Sequence, residues 1–364
     1  MTSRRAFLGQ SVAGVLGTSL FSQAGAVGRA AKPLEILVLG GTGFIGPHEV
    51  NRMLDRGHKV TLFNRGRRQG QFGGRVEELT GDRDANVGDG LQALEGSRRW
   101  DVVVDNSGYV PRHVRDSAKL LRDRCDQYLY ISTVAVYDTD GEPGESRVLS
   151  NQSPLWSDVP DTEEVNGDTY GPLKAECDRV VLDVAGDKAT LVRPTYVVGP
   201  GDTTDRFTYW VDRINRGGDV LAPAGPGYEA QWIDVRDLTS FIVELAESRT
   251  FGTFNTAGPR SEVTNEGLMW GLRAMSSAPV QFHWPSAELL ESMSLQLPMM
   301  AARDWSRHVD SSAALDAGLG MRSLAETAGD LQAWWSAQPA DRKAAARRWP
   351  TADQEQEAIS RITG

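Results

Sequence analysis

An α/β chain built on a doubly wound parallel sheet, with a smaller C-terminal α/β lobe, is predicted by three observations. Short apolar runs alternate with amphipathic stretches from residue 34 to about residue 193. The first run, Leu34-Glu35-Ile36-Leu37-Val38-Leu39, passes directly into Gly40-Gly41-Thr42-Gly43-Phe44-Ile45-Gly46. Beyond Gly201 the alternation weakens and large aromatic residues accumulate. Strand, crossover helix and parallel strand in succession put helices on both faces of one sheet. The expected plan is a sheet domain at 34–193, a lobe at 194–340 with some segments returning to the sheet domain, and a C-terminal tail at 341–364.

Residues 1–26 stand apart from that plan. Ser3-Arg4-Arg5-Ala6-Phe7-Leu8 is followed by a weakly apolar stretch to Phe21 and by Ala24-Gly25-Ala26, the basic, apolar and small-residue layout of a signal peptide. The arginine pair resembles a twin-arginine (Tat) export signal, with Gly9 where that pattern usually has lysine. Glycine, serine and glutamine dilute the apolar stretch too far for a spanning helix. Cleavage near Ala26 and a periplasmic or secreted location are therefore expected, with the Tat export machinery as a partner. Losing Arg4 and Arg5 and no acid would take the formal charge from -10 to -12. So acidic a chain is a poor general nucleic-acid binder, and none is expected as a partner.

The glycine turn is the next element. A strand before it and a helical pattern after it (Glu49 to Arg56) are the context in which such a turn cradles a dinucleotide pyrophosphate. Gly40 would permit the tight turn, Gly43 would let backbone N–H groups approach the phosphates, and Gly46 would let the helix pack closely. Phe44 and Ile45 begin the helix whose N-terminus faces the charge. The second strand, Lys59 to Phe63, ends at Asn64 followed by Arg65, Arg67 and Arg68, where an acidic residue usually grips the adenosine ribose of NAD. Arginines there can pair a 2′-phosphate, so NADP is slightly favoured over NAD, with Asn64 able to bond the ribose of either. Asp82, in Gly81-Asp82-Arg83 after the third strand, is a candidate for the adenine amino group.

The run Tyr128 to Ser132 ends in Thr133, and Tyr170-Gly171-Pro172-Leu173-Lys174 follows later. Tyrosine and lysine four apart share one helix face, and Pro172 is tolerated in a first turn. A tyrosine hydroxyl ionises near pH 10, so Lys174 and a nicotinamide ring are expected to lower it toward general acid–base use. Lys174 would also donate to the nicotinamide ribose, and Thr133 would share the substrate oxygen with Tyr170. With these motifs together, residues 34 to about 340 resemble the extended short-chain dehydrogenase/reductase superfamily, in particular its NAD-dependent epimerase/dehydratase branch. The resemblance implies a Rossmann core and a catalytic set of Thr133, Tyr170 and Lys174, with Ser132 as the fallback hydroxyl. Asp101 to Gly108 resembles the family's fourth strand, which would put Asn106-Ser107-Gly108 under the cofactor. The resemblance further matches Arg193-Pro194-Thr195-Tyr196-Val197-Val198-Gly199-Pro200 to the sixth strand and the loop over the nicotinamide. Gln231 to Asp237 resembles a later marker, in which Asp234 reads better as a helix or turn cap than as a site residue. Homodimers through two helices are common in the family.

Between these motifs, Asp138 to Asp168 carries nine Asp or Glu residues and reads as a long loop over the site, arguing mildly against a highly anionic substrate. Cys125 and Cys177 fall in core elements and are expected as buried thiols. No histidine or cysteine spacing suggests a metal. In the lobe, Phe207, Tyr209, Trp210, Trp232, Trp270 and Trp284 gather with Arg206 and Arg213. They could stack a carbohydrate-like small molecule, although any single tryptophan more often fills a core. Three functions remain open: a sugar or polyol epimerase/dehydratase with transient hydride transfer, a net NAD(P)-dependent dehydrogenase or reductase, and a non-catalytic relative like the chloroplast stem-loop RNA-binding proteins. Export favours the first, because a folded exported enzyme can carry a bound cofactor out of the cytoplasm.

Overall fold

The computed structural model describes residues 28–138, 147–299, 307–346 and 349–364. The export-signal reading of residues 1–26 lies outside them. Among the described residues the central sheet has seven strands, all pairing in parallel: β1 (Glu35–Leu39), β2 (Lys59–Asn64), β3 (Glu77–Thr80), β4 (Trp100–Asp105), β5 (Cys125–Ile131), β7 (Ala189–Pro194) and β11 (Gly252–Thr256). Their order is β3-β2-β1-β4-β5-β7-β11. The order reverses between β1 and β4, so their carboxyl ends open the crevice in which such sheets take ligands.

The near-continuous apolar strands are explained by helices on both faces. Ile36 and Val38 of β1 point into a core shared with α1 (Ile45–Asp55) and α5 (Val235–Ser248), through Val50, Met53, Phe241 and Leu245. Leu37 and Leu39 point the other way, toward Val114, Leu121, Val180 and Val184 of α2 (Pro111–Leu121) and α3 (Tyr170–Ala185). Cys125 and Cys177 are free and buried in this second layer. The Rossmann core is thus present, and β11 beyond residue 193 is one of its returning segments. Three two-stranded parallel pairs complete the strands: β6 (Arg147–Leu149) with β13 (Arg307–Val309), β8 (Tyr196–Val198) with β10 (Trp232–Asp234), and β9 (Gly218–Leu221) with β12 (Val280–His283).

The lobe has its own core. Helices α4 (Arg206–Arg216), α6 (Asn265–Ala274), α7 (Ala287–Ser292), α9 (Leu324–Ser336) and α11 (Ala352–Thr363) surround buried Phe207, Trp210, Trp232, Met269, Leu331 and Ala358, while α8 (Ser312–Asp316) packs on the sheet domain and α10 (Ala340–Ala344) precedes α11. Trp210 and Trp232 are therefore core residues, whereas Trp270 is half exposed. Residues 341–364 are no loose tail. Glu355 of α11 is buried and accepts from Arg213 Nε at 2.8 Å and from the Leu221 amide at 3.0 Å, which closes the lobe. Arg213 is consequently structural. Asp234, as the capping reading anticipates, accepts from the Arg236 amide at the start of α5 and also pairs with Arg236 and Arg322.

Candidate active site

The glycine turn sits at the switch point. Gly40 has φ +92°, and a side chain there would meet Ser107 Cβ at 2.6 Å, so both the turn and its approach to β4 require glycine. At Gly46 a Cβ would stand 2.3 Å from the Gly41 carbonyl carbon, because α1 starts directly against the turn itself. Nothing lies within 4 Å of a Cβ at Gly43, so this part of the turn faces open space. Phe44 caps α1 without a side-chain hydrogen bond and no acid occupies the first turn, leaving the backbone N–H groups of Phe44, Ile45 and Gly46 for an anion.

At the end of β2, Asn64 Oδ1 accepts from the Gly66 amide at 2.8 Å, while its buried Nδ2 has no partner among the described residues. A buried donor left unpaired is costly, and a ribose hydroxyl or phosphate oxygen would satisfy it. The residues present therefore fit an adenine dinucleotide. Arg65 is exposed, but Arg68 reaches back to the Thr42 carbonyl at 2.8 Å and clasps the turn. Asp82 uses Oδ1 to accept from the Asp84 amide, which shapes the loop after β3. Arg83 beside it went unnoticed in the sequence: it is fastened to Asp105 at the end of β4 and donates to Ser107 and Ser117. That ion pair supports the floor under Gly40.

The predicted catalytic residues converge at the end of β5. Thr133 follows the strand and accepts from the Ala135 amide at 3.2 Å, starting the short turn Val134–Val136 against which the first turn of α3 packs. Ser132, the fallback hydroxyl, is buried directly before Thr133, and its Oγ has no hydrogen-bond partner among the described residues. Tyr170 opens α3, with Gly171 packed against the Ala135 carbonyl and the Trp156 indole. Lys174 lies one turn on but points inward: Nζ donates to the Gly108 carbonyl at 2.8 Å, the Ile131 carbonyl at 2.8 Å and the Tyr130 hydroxyl at 2.5 Å. An ammonium has three hydrogens, so Lys174 as placed has none left for a ribose. Burial lowers Lys174 to about 8.

The expectation that Lys174 lowers Tyr170 is not met. Burial pushes the Tyr170 hydroxyl above its ordinary value, with Thr133 and, more weakly, the charge of Arg206 opposing the rise. Tyr109, in the loop after β4, covers the pair, with its ring 6.3 Å from that of Tyr170 and 5.4 Å from Lys174 Nζ. Neither Tyr109, in the loop after β4, nor Arg206, at the start of α4, carries a sequence signal for this placement, because only the fold brings their elements together. The loop after β8 closes the other side, with His48 Nε2 hydrogen-bonded to the Pro200 carbonyl at 2.7 Å. Of the expected acidic cover, Glu163 is paired to Arg112. Asp84, His113 and Glu163 bring one ligand atom each within 4.8 Å of one another, but Arg112 is already hydrogen-bonded to both carboxylates.

A parallel sheet with a glycine turn at its switch point and a strand-end threonine beside a helical Tyr-x-x-x-Lys defines a nucleotide-binding fold of the extended short-chain dehydrogenase/reductase type. The chain belongs to the NAD dependent epimerase/dehydratase family, whose model matches residues 36–257. It is 27% identical over 256 residues to the chloroplast stem-loop binding protein of 41 kDa b of Arabidopsis thaliana, covering 66% of this chain and 62% of that protein. It is 26% identical over 276 residues to the epimerase family protein SDR39U1 of Bos taurus, covering 70% of this chain and 84% of that one. Among solved structures, a putative epimerase from Burkholderia cenocepacia shares the fold with TM-score 0.62 and 19% identity over 85% of this chain and all of that one. MoeE5 in complex with UDP-glucose and NAD matches at TM-score 0.56 and 20% identity, over 83% of this chain and 98% of that one. Human SDR39U1 with NADPH matches at TM-score 0.57 and 20% identity, over 83% of this chain and 99% of that one.

Proposed function

We propose that the chain is an NAD(P)-dependent epimerase or dehydratase acting on a sugar or polyol by transient hydride transfer, exported folded with its cofactor in place. The observation that carries this reading is the placement of Tyr170 at the start of α3, packed through Gly171 against the turn that follows Thr133 at the end of β5, beside the crevice opened by the glycine turn. Gly43, the N-terminus of α1 and Asn64 would hold a dinucleotide, which when bound supplies a hydride acceptor and donor. NADP is the favoured form, through Arg65.

Tyr170 would bond the substrate hydroxyl and exchange its proton as the carbinol carbon is oxidised and reduced again. Held above its ordinary value, the phenol is protonated in the resting site, the state needed to return a proton to a carbonyl oxygen. Thr133 would fix the substrate oxygen, and Lys174 would hold the Tyr130 and Gly108 wall rather than the cofactor. The nucleotide-sugar complexes among the structural neighbours and the supply argument from export favour the internally cycling form over net redox chemistry. Tyr170→Phe tests the assignment. Nucleotide binding should persist while turnover falls by roughly 10²–10⁴; full activity in that variant would remove the enzyme reading.

A further inference from the structure

Arg206 is the one cation of the lobe's aromatic cluster that the fold does not consume. Arg213 is bound to Glu355 and to the Gly217 carbonyl inside the lobe. Arg206 begins α4, at the end of the loop leading from β8, with its guanidinium 4.7 Å over the half-exposed ring of Tyr196. Its Nε donates to Thr204 Oγ1 at 2.9 Å, which fixes the plane of the fork. No carboxylate lies within 4 Å of it among the described residues. Its two neighbouring acids are engaged: Asp205 pairs with Arg342, and Asp202 accepts from the Thr204 amide at 2.8 Å and hydroxyl at 2.7 Å.

We propose that Arg206, stacked on Tyr196, binds a single anionic group, a carboxylate or a phosphate, carried by the substrate whose carbinol meets Tyr170. This rests on the enzyme reading above and adds to it a substrate class. A guanidinium held by Nε on one side and by a ring face beneath presents its terminal nitrogens as a two-pronged donor, the geometry that suits planar oxyanions. Arg206 ends the loop after β8, whose Pro200 carbonyl is held by His48 of α1 on one side of the site, so a group it binds belongs to the molecule lying in that site. A single charge fits better than a polyphosphate, because the Thr204 hydroxyl that accepts from Arg206 Nε donates in turn to the Asp202 carboxylate, and the chain carries a formal charge of -10.

The test uses the full chain saturated with NADP+ or NAD+, titrated calorimetrically with D-glucose, D-glucuronate, D-glucose 6-phosphate and UDP-glucose. At least one of the two singly substituted acids should bind roughly tenfold or more tightly than glucose. That preference should weaken as salt rises. It should disappear in Arg206→Gln and be partly kept in Arg206→Lys, with nucleotide affinity unchanged in both. Thermal midpoints of the two variants check folding, since among the described residues Arg206 gives up the Thr204 bond and the stack on Tyr196. Equal affinities for acids and glucose, no binding of either acid at millimolar concentration, or a preference intact in Arg206→Gln would overturn the proposal. Tighter UDP-glucose binding that needs Arg206 would also overturn it, in favour of a diphosphate. Nucleotide binding and the loss of turnover in Tyr170→Phe are read separately, so this inference can fail while the enzyme reading stands.

Discussion

Lys174 Nζ stands 2.5 Å from the Tyr130 hydroxyl, and with the carbonyls of Gly108 and Ile131 this completes its donors. The lysine therefore acts as a buried tie between α3, β5 and the loop after β4. Lys174→Met would remove three buried hydrogen bonds; the Gly108 carbonyl keeps the Tyr130 hydroxyl as a donor at 2.6 Å, whereas the Ile131 carbonyl loses its lysine partner, at about 1–3 kcal/mol before relaxation. The expected outcome in thermal unfolding is a midpoint several degrees lower. An unchanged midpoint with weakened nucleotide binding would instead assign Lys174 to the ribose.

Gly46 and Gly43 separate packing from ligand space. Gly46→Ala would place a methyl 2.3 Å from the Gly41 backbone and should give little folded protein. Gly43→Ala meets nothing and should fold normally, yet lose roughly tenfold or more in nucleotide affinity if the phosphates occupy that space. Calorimetric titration of Gly43→Ala with NADP+ and NAD+ decides this, and wild-type affinity would move the phosphates elsewhere.

Glu49 gives a pH signature. It is buried on α1 with Asn106 donating to it at 2.5 Å, and burial raises its carboxyl from an ordinary 4.5 to about 7. Between those values the folded chain holds a proton that the unfolded chain releases. This contribution to stability is full below about 4.5 and is lost as pH rises to about 7, by up to about 1.4 kcal/mol per pH unit. Glu49→Gln cannot ionise, so its midpoint should gain on the wild type progressively from pH 5 to pH 8. A difference that stays constant with pH would contradict the assignment.

Arg65 should choose the cofactor. It is exposed beside Asn64, whereas Arg68 is spent on the Thr42 carbonyl. Arg65→Ala is expected to weaken NADP+ binding by roughly tenfold while leaving NAD+ nearly unchanged. Equal losses for both nucleotides would mean that Arg65 reads no 2′-phosphate.

The sheet was legible where its strands are apolar runs, as in β1, β2, β4 and β5, and less so at β3 (Glu77–Thr80) and β11 (Gly252–Thr256), which are largely polar. The glycine turn was legible because φ, closeness and open space at Gly40, Gly46 and Gly43 all restrict residue choice. Tyr170 and Thr133 were legible through spacing and strand position. Depth was not. The four-residue spacing puts Lys174 on the face of Tyr170 but does not show that its ammonium is buried against Tyr130. The helical pattern from Glu49 to Arg56 likewise does not show that the Glu49 carboxyl is fully enclosed. The closure of the lobe depends on Arg213 and Glu355, 142 residues apart, a separation no local pattern reports. Arg83 and Tyr109 come from loops that only the strand order brings together.

The central claim is that the hydride cycles within a protein that keeps its nucleotide. The most direct measurement is to denature the protein purified from the compartment where it resides and to identify and count the nucleotide released. The account predicts close to one NADP(H) or NAD(H) per chain, with no net change of nicotinamide redox state during turnover. An empty protein that turns over only with added cofactor, accumulating reduced or oxidised nicotinamide, would contradict it.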